Sequence, residues 1–288
     1  MEYLIHIAIF SAIFGILAIS LDLIVGYTGM LSVAHAAFYG IGAYATTLLL
    51  KMLGLNFFFA LPLAVVITML VALLIGVVLS KFKTDYYALA SLGFGVIVYV
   101  VFQNWLQVTR GPFGIPGIPR PDMFGFTFVE NVAFLLLALV VLACVYALAR
   151  FMVRSSFGRI LTAIREDETA ISVFGYRTTS YKLIIFTIAA GMAAIAGGLY
   201  ASYITFIAPS AFSVNESIFI LAIVILGGAG SLRGPLMGAV VLVLLPELLR
   251  FVGLPSDIAA QMRQLLYGVI LVLLMLYRPQ GLVGTYKL

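Results

Sequence analysis

Apolar stretches recur along almost the whole chain and are separated by short polar segments. A helix needs about 20 mostly apolar residues to cross the hydrocarbon core of a bilayer. Stretches of this kind, two of them short, lie at 3–24, 33–50, 57–79, 86–106, 132–151, 183–207, 217–226, 235–252 and 265–277. The pattern predicts an all-α, polytopic transmembrane bundle of roughly eight to ten spans with broken or re-entrant helices.

Composition agrees with this pattern, since 64% of the 288 residues are hydrophobic and 9% are charged. The mean hydropathy of +1.20 excludes ordinary soluble domains. The first apolar stretch has no basic segment before it and no small-residue cleavage pattern after it, so we expect it to be retained. The single cysteine, Cys144, leaves no disulfide framework and no thiolate metal cluster.

The distribution of basic residues predicts an orientation, because Lys and Arg near span ends favour the cytoplasmic side. Segment 150–182 is the most basic, and placing it inside brings Lys81, Lys83, Arg233, Arg278 and Lys287 to the same side. The C-terminus is then cytoplasmic, and the loops at 110–130 and 253–263 face outward. The N-terminus is outside if 33–50 crosses fully and inside if it is re-entrant. Because the net charge of +5 is spread over span ends, we expect the bilayer and not nucleic acid as a partner.

Two segments combine glycine with polar residues at membrane depth, at 26–42 and 227–235. Non-helical backbone survives there only where protein or a water-filled cavity satisfies its polar groups, and paired breaks in the two halves of a chain point to a substrate route. Two tight loops joining helices are the alternative. The residues predicted to line a translocation pathway are Gly26, Thr28, Gly29, Ser32, His35, Asn104, Gly227, Gly228 and Gly230.

Small residues also recur at every fourth position at Ala190, Ala194, Gly198 and Ser202. They line one face of a helix and let another helix approach closely. The stripe predicts a packed bundle rather than independent anchors.

Ionisable residues within apolar stretches are functional candidates by default, and here they are few: Asp22, His35 and Glu247. For His35, a structural hydrogen bond between helices is the favoured alternative. No chain of acids traverses the bilayer, which argues against proton coupling. The sequence has no His-Glu-x-x-His, no Gly-x-Ser-x-Gly and no Gly-x-x-x-x-Gly-Lys-Ser/Thr motif, so ATP hydrolysis would need a partner chain.

Segment 155–177 differs from the rest because it is polar, charged and rich in small residues. It predicts short cytoplasmic helices that are capped by Ser155 or Ser156 and end at Gly175. A pair of short helices on the inner face is a surface on which a partner protein can push.

Six ordered segments together carry a family resemblance. They are GYTGMLS with HAAF (26–38), TDYYALASLGFG (84–95), GPFGIPGIP (111–119), SFGR through Gly175 (156–175), LGGAGSLRGP (226–235) and RPQGL (278–282). With these motifs the chain resembles a permease subunit of the branched-chain amino-acid ABC importers, the LivM-like kind.

The resemblance implies a heteromeric importer in the plasma (inner) membrane of a bacterium or archaeon. Its partners are two cytoplasmic ATPase subunits, a second and related permease subunit, and an extracytoplasmic solute-binding protein. ATP and Mg are bound by the ATPase, so no cofactor is expected in this chain. Leucine, isoleucine, valine, other amino acids, and urea or short amides are all substrates that the resemblance allows.

The resemblance also implies one permease domain over 1–288 with an ATPase-coupling loop at about 153–182. The coupling residues would be Arg165, Glu166, Asp167, Glu168, Ala170 and Gly175. Many import permeases carry Glu-Ala-Ala-x-x-x-Gly there. This chain keeps Ala170 and Gly175 but has Thr169 in the glutamate position.

Three alternatives stay open from the sequence. One is a secondary transporter that needs no ATPase, and another is an intramembrane enzyme that uses His35 and Asp22. The third concerns the loop at 110–121, where four prolines stiffen the chain. That loop suits docking of a binding protein, a gate over the cavity, or a plain connection.

Overall fold

The computed structural model describes residues 2–82, 84–123, 126–128, 130–250, 268–269, 272 and 280–283. The helices are α1 Glu2–Thr28, α2 His35–Met52, α3 Phe57–Leu79, α4 Thr84–Asn104, α5 Leu106–Thr109, α6 Asn131–Arg154, α7 Ser156–Glu166, α8 Glu168–Val173, α9 Thr178–Ile204, α10 Val214–Gly227 and α11 Arg233–Arg250. Two pairs of two-residue antiparallel strands join loops: β1 Ile115–Pro116 with β4 Phe206–Ile207, and β2 Asp122–Met123 with β3 Phe126–Thr127. The predicted all-α, polytopic class is confirmed.

Eight of the predicted spans correspond to the eight longest of these helices. Within the described part of the chain, five helices are long and apolar enough to cross a membrane by length and composition: α1, α3, α4 from Tyr86, α6 and α9. Helices α10 and α11 contribute shorter apolar stretches. The ninth predicted span, at 265–277, lies outside the described residues apart from Gly268, Val269 and Val272.

The bundle has two distinct ends, which its contacts define. At one end Lys51 donates to the Pro116 carbonyl (2.6 Å) and the Ile118 N–H donates to the Thr205 carbonyl (3.1 Å); we call this the loop end. The opposite end carries the short helices α7 and α8 and is called the α7–α8 end. His6 of α1 hydrogen-bonds the Tyr203 hydroxyl (2.7 Å) near the end of α9. The N-terminus therefore lies at the loop end, and segment 29–52 takes the chain back across the bundle.

Helix α9 lies at the centre and packs most closely against α2. A Cβ added to Gly42 would lie 2.3 Å from the Ala194 Cα, and one added to Gly198 would lie 2.8 Å from the Thr46 hydroxyl oxygen. Ala190, Ala194, Gly198 and Ser202 are all buried. The prediction that this stripe admits a second helix is confirmed, and the second helix is α2.

Helix α3 shows how the outer helices separate a packed face from an exposed one. Its buried residues follow a helical repeat and are mostly small: Phe57, Ala60, Ala64, Thr68, Ala72, Gly76 and Leu79. Between them, large apolar side chains such as Phe59 and Leu74 are exposed. A helix that is hydrophobic all round but buried on one face suits a lipid environment.

Gly197→Ala is expected to destabilise the bundle, because the added Cβ would lie 2.2 Å from the Tyr39 carbonyl oxygen. Forcing apart two close-packed backbones costs about 1–3 kcal/mol. Gly93→Ala is the matched control, since a Cβ at Gly93 has no atom within 4 Å. Thermal unfolding of the two detergent-solubilised variants measures the difference. Equal melting temperatures would contradict the close contact of α2 with α9.

Candidate functional site

The first glycine segment forms a break deep in the bundle. Helix α1 ends at Thr28, residues 29–34 are not helical, and α2 begins at His35. Gly29 has a φ of +71°, a conformation that favours glycine. The His35 ring contacts Ser20, which lies two turns before the end of α1 and thus about 12 Å along its axis from that end. Helix α2 therefore begins inside the bundle and not at its surface.

Three buried serine hydroxyls hold this break. Ser20 hydrogen-bonds His35 Nε2 (2.7 Å), Ser91 accepts from the Val33 N–H (3.0 Å), and Ser217 accepts from the Ala36 N–H (3.0 Å). The serines belong to α1, α4 and α10, so side chains of three helices bind the break and the start of α2, whereas His35 Nδ1 is buried with no hydrogen-bond partner among the described residues. Because Ala36 and Ser217 lie in the first turns of α2 and α10, these two helices begin next to each other.

The second glycine segment separates α10 from α11. Gly228 and Gly230 have φ values of +105° and +78°. The Leu282 and Val283 N–H groups donate to the carbonyls of Leu226 (2.9 Å) and Gly227 (3.0 Å). The distant segment 280–283 thus closes over this break and satisfies carbonyls at the end of α10.

The last turns of α1, which lead into the first break, meet the second break at a single place. The Gly230 N–H donates to Asp22 Oδ1 (2.8 Å), and Asp22 is fully buried. A Cβ added to Gly26 would lie 2.1 Å from Asp22 Oδ1 and 2.2 Å from the Gly230 nitrogen. Glycine is therefore required at position 26, and the two segments that the sequence singled out are in direct contact.

Arg165 connects the short helix α7 to this meeting point. Its Nη1 donates to the Gly26 carbonyl (2.6 Å), and a Cβ added to Gly29 would lie 3.1 Å from the Arg165 Cγ. We call Asp22, Gly26, Arg165 and Gly230 the junction. Arg165 thus links α7 to the end of α1, and Asp22 links the end of α1 to the α10–α11 break.

Helices α7 and α8 occupy the segment that the sequence predicts to be helical. Ser155 stands at the N-cap position of α7, but its hydroxyl donates to the Met152 carbonyl (2.6 Å) and does not cap the helix. Asp167 caps α8 instead and accepts from the N–H groups of Thr169 (2.9 Å) and Ala170 (3.0 Å). Gly175 follows α8 with a φ of +89°.

The charges of this region form two ion pairs, and their apolar neighbours are exposed. Arg165 pairs with Glu166 (2.8 Å), and Lys182 of α9 pairs with Glu168. At the end of α8, Val173 is 82% exposed and Phe174 is 78% exposed. Two large apolar side chains that project from a short helix at the end of a bundle mark a candidate interaction surface.

A cavity of about 210 Å³ opens beside the junction. Its lining residues come from α1, the first break, the α3–α4 connection, α4, α7, α8 and α9: Thr28, Gly29, Met30, Ser80, Phe82, Tyr87, Ile164, Arg165, Glu168 and Lys182. The cavity places four of the predicted coupling and pathway residues around one space: Thr28, Gly29, Arg165 and Glu168.

The remaining predicted residues are less closely grouped. Ser32 is buried in the first break, with its hydroxyl 3.5 Å from the Ala34 nitrogen. Asn104 is exposed at the loop end, where its side chain donates to the Val100 carbonyl (2.8 Å), so the structure does not bring it to the breaks. Within the described residues, no group of three or more His, Cys, Asp or Glu side chains is placed to hold a metal ion.

Sequence reasoning missed several residues of the site, namely the three serines of the first break and Lys182. A serine inside an apolar helix signals a buried hydrogen bond. The partner of such a hydroxyl can be far away in the sequence, as Ser217 is from Ala36. The periodicity of apolar residues carries no information about contacts of this kind.

Comparison with known proteins places the chain among transport proteins. A family model described as "Branched-chain amino acid transport system / permease component" matches residues 3–275. The chain is 36% identical to the high-affinity branched-chain amino acid transport system permease protein LivM of Salmonella typhimurium, over 96% of this chain and 69% of LivM. It is 35% identical to LivM of Escherichia coli K12 with the same coverage, and 25% identical to LivH of that organism over 94% of this chain and 91% of LivH. No solved structure shows a significant match.

Proposed function

Because the chain belongs to the branched-chain amino acid transport permease family, we propose that it is a membrane-spanning subunit of an ATP-binding-cassette importer. The subunit takes branched-chain or related small amino acids into the cytoplasm by alternating access. It is a transport subunit and not an enzyme, and ATP hydrolysis takes place in a separate chain. It resides in the plasma (inner) membrane of a bacterium or archaeon, with the C-terminus cytoplasmic.

The similarity to both LivM and LivH supports a heteromeric assembly. The chain aligns with each of these permease proteins over at least 94% of its length, and its identity to LivM is the higher. Two permeases that are related in sequence over nearly their whole length suit a paired membrane unit. We therefore propose a LivH-like chain as the second permease, together with cytoplasmic ATPases and an extracytoplasmic solute-binding protein.

The contact of Arg165 with Gly26 supports the proposal that ATPase docking is coupled to movement of the membrane helices. Arg165, at the end of α7, binds the carbonyl of Gly26, while Val173 and Phe174 project from the end of α8. An ATPase that docks on α8 would therefore act on the end of α1 through α8 and α7, which connect Phe174 to Arg165 along about ten residues. Charges at Glu166 and Glu168 would fix the register of the docked partner.

The break itself suits a moving part of a permease. Two serine hydroxyls accept from backbone N–H groups and a third hydrogen-bonds the His35 ring, and such single hydrogen bonds contribute only about 0.5–1.5 kcal/mol each. When α1 and α10 shift, these bonds can exchange partners without exposing a charge. A substrate handed over in this way is not held by a charged site in the bilayer, which agrees with the few ionisable residues in the spans.

A secondary transporter is the alternative. Asp22, an acid within an apolar helix and a candidate proton carrier, accepts from the Gly230 N–H at Oδ1 (2.8 Å), while its buried Oδ2 has no hydrogen-bond partner among the described residues. Ion-driven transport would show as uptake that depends on a cation gradient and needs no ATPase.

Co-purification from detergent-solubilised native membranes tests the proposal. The tagged wild-type chain is expected to recover an ATPase activity, and Glu168→Lys with Gly175→Pro is expected to lose it, because the two changes reverse a charge and remove the left-handed residue after α8. A folded wild-type preparation that brings down no ATPase would favour the secondary transporter.

A further inference from the structure

Helix α10 begins in the middle of the bundle, and its first turn contains Glu216. Helix α1 rises about 30 Å from His6, at the loop end, to Gly26, at the junction, which equals the thickness of a hydrocarbon core of about 30 Å. From Glu216 to Gly227, its last residue, α10 rises about 16 Å, and the junction residue Gly230 follows closely. Glu216 therefore lies about halfway between the two ends, near the middle of the bilayer.

Glu216 has no partner for its charge in the part of the chain that the structure describes. Neither of the two ion pairs there includes it, and its carboxylate accepts no hydrogen bond there. Its electrostatic neighbours are the hydroxyl groups of Tyr39 and Tyr200, which carry no positive charge. The side chain is half-buried, so part of it faces the surroundings of the bundle.

The neighbours of Glu216 along the chain are also polar. Asn215 and Ser210 are exposed, and Ser213 is half-buried. Ser213 stands at the N-cap position of α10, but its side chain makes no capping hydrogen bond. We call Ser210, Ser213, Asn215 and Glu216 the polar face. In the middle of α3, by contrast, the exposed side chain is the apolar Val66.

Lipid is excluded as the neighbour of the polar face. A carboxylate in contact with acyl chains is costly, and acids at membrane depth face protein or a water-filled cavity. The first N–H groups of a helix that begins at this depth also need water or protein as acceptors. Water satisfies the carboxylate of Glu216, the amide of Asn215 and the two hydroxyls together, whereas a dry protein contact would have to supply a buried cation.

We propose that the polar face lines an aqueous translocation route, whose opposite wall is the second permease subunit. The inference rests on the proposed function, because that function supplies the second subunit. Ser217, the residue after Glu216, accepts from the Ala36 N–H at the start of α2 (3.0 Å). The polar face therefore adjoins the first glycine break, and the route extends from that break toward the loop end.

Glu216 determines which charges the route admits. A carboxylate in a narrow aqueous passage with low-dielectric walls creates a negative potential that extends along the passage. A zwitterionic amino acid carries no net charge and passes without being held. Anions that have the same side chains, such as branched 2-oxo acids, are repelled. Glu216 is thus a specificity-determining residue for net charge.

Reaction of an introduced cysteine with charged, water-soluble methanethiosulfonates tests the route. Asn215→Cys is made in a Cys144→Ala background, which leaves one thiol in this chain. The complete assembly is labelled in lipid nanodiscs, which expose both sides of the membrane, so the result does not depend on the side to which the route is open. The thiol should react at least about tenfold faster than the thiol of Val66→Cys, because neither a charged reagent nor a thiolate is stable in hydrocarbon.

Val66→Cys is the matched control, because Val66 is 51% exposed but lies in the middle of α3, on its apolar face. Ser210→Cys is a second reporter from the polar face, so the test does not depend on the assembly of one variant. If both reporters react as slowly as Val66→Cys, the polar face is not in water and the proposed route is wrong.

Paired reagents of opposite charge test the role of Glu216. At Asn215→Cys, Glu216→Gln should lower the ratio of the cationic to the anionic reaction rate about fivefold or more, because the lost charge attracts one reagent and repels the other. Glu216→Asp should keep the ratio within about twofold. Glu130→Gln, which removes an exposed acid before α6, should leave it unchanged. An unchanged ratio in Glu216→Gln would overturn the role of Glu216.

Blocking the route connects accessibility to transport. After modification, the Asn215→Cys assembly should take up leucine at least about tenfold more slowly, with the ATPase still bound, because the attached group narrows the route. Modification that leaves uptake unchanged would show a water-filled crevice outside the route and would overturn the proposal.

The outcome separates the route from the proposed function. If ATP-driven leucine uptake is intact and the polar face does not react, the route is wrong and the transport function stands. If modification of the polar face blocks an uptake that needs no ATPase, the route stands and the importer proposal is wrong.

Discussion

Replacing Val173 and Phe174 together by aspartate is expected to abolish recovery of ATPase activity with the permease. Both side chains are exposed in the isolated chain, so the change removes little folding energy. At a docked interface, two buried apolar anchors each contribute about 2 kcal/mol or more, and two aspartates would be desolvated in their place. Co-purification of ATPase activity should therefore fall at least tenfold, while the melting temperature of the chain stays within a few degrees.

Phe113→Asp is the matched control for this experiment. Phe113 is 83% exposed but lies at the loop end, away from α7 and α8. The same loss of an exposed aromatic side chain should leave ATPase recovery at the wild-type level. If Phe113→Asp and the α8 variant lose the ATPase equally, the interaction is not specific to α8 and the docking proposal is wrong.

Arg165→Met is expected to uncouple ATP hydrolysis from transport. Methionine keeps an apolar stem but removes the charged donor to the Gly26 carbonyl, and a hydrogen bond to a charged group is worth about 1.5–3 kcal/mol. Helix α7 would then move without displacing the end of α1. We expect the amount of leucine taken up per ATP hydrolysed to fall about tenfold or more, with the ATPase still bound.

Arg159→Met separates this effect from a general loss of positive charge on α7. Arg159 lies on the same helix, is exposed and donates to Ser156 within its own first turn (2.9 Å). Its replacement should leave the leucine-to-ATP ratio unchanged. A normal ratio in Arg165→Met would show that the junction does not transmit the motion of α7.

The positions of the spans along the chain could be predicted from the sequence, because they follow from local properties. Apolar stretches gave eight of the helices, and the small residues from Ala190 to Ser202 identified the face of α9 against which α2 packs. The two glycine segments were also visible, since glycine and polar residues interrupt apolar runs only for a structural or functional reason. Sidedness from Lys and Arg stays a prediction.

The junction could not be predicted, because it depends on contacts between distant residues. Gly230 meets Asp22 across 208 residues, and Arg165 meets Gly26 across 139. Asp22 was recognised as unusual, but its partner is a backbone N–H, which every non-proline residue carries. Likewise, Ser155 or Ser156 is the predicted cap of the first short helix, but the Ser155 hydroxyl at the N-cap position of α7 donates to the Met152 carbonyl, because its direction depends on the path of the preceding helix.

Leucine uptake into proteoliposomes tests the central claim most directly. This chain is reconstituted with a LivH-like permease, the ATPases and a binding protein, with ATP on the ATPase side and labelled L-leucine with the binding protein on the opposite side. The account predicts concentrative uptake that requires ATP hydrolysis and persists when proton and sodium gradients are collapsed. Uptake that continues without ATP and stops when a cation gradient is collapsed would contradict it.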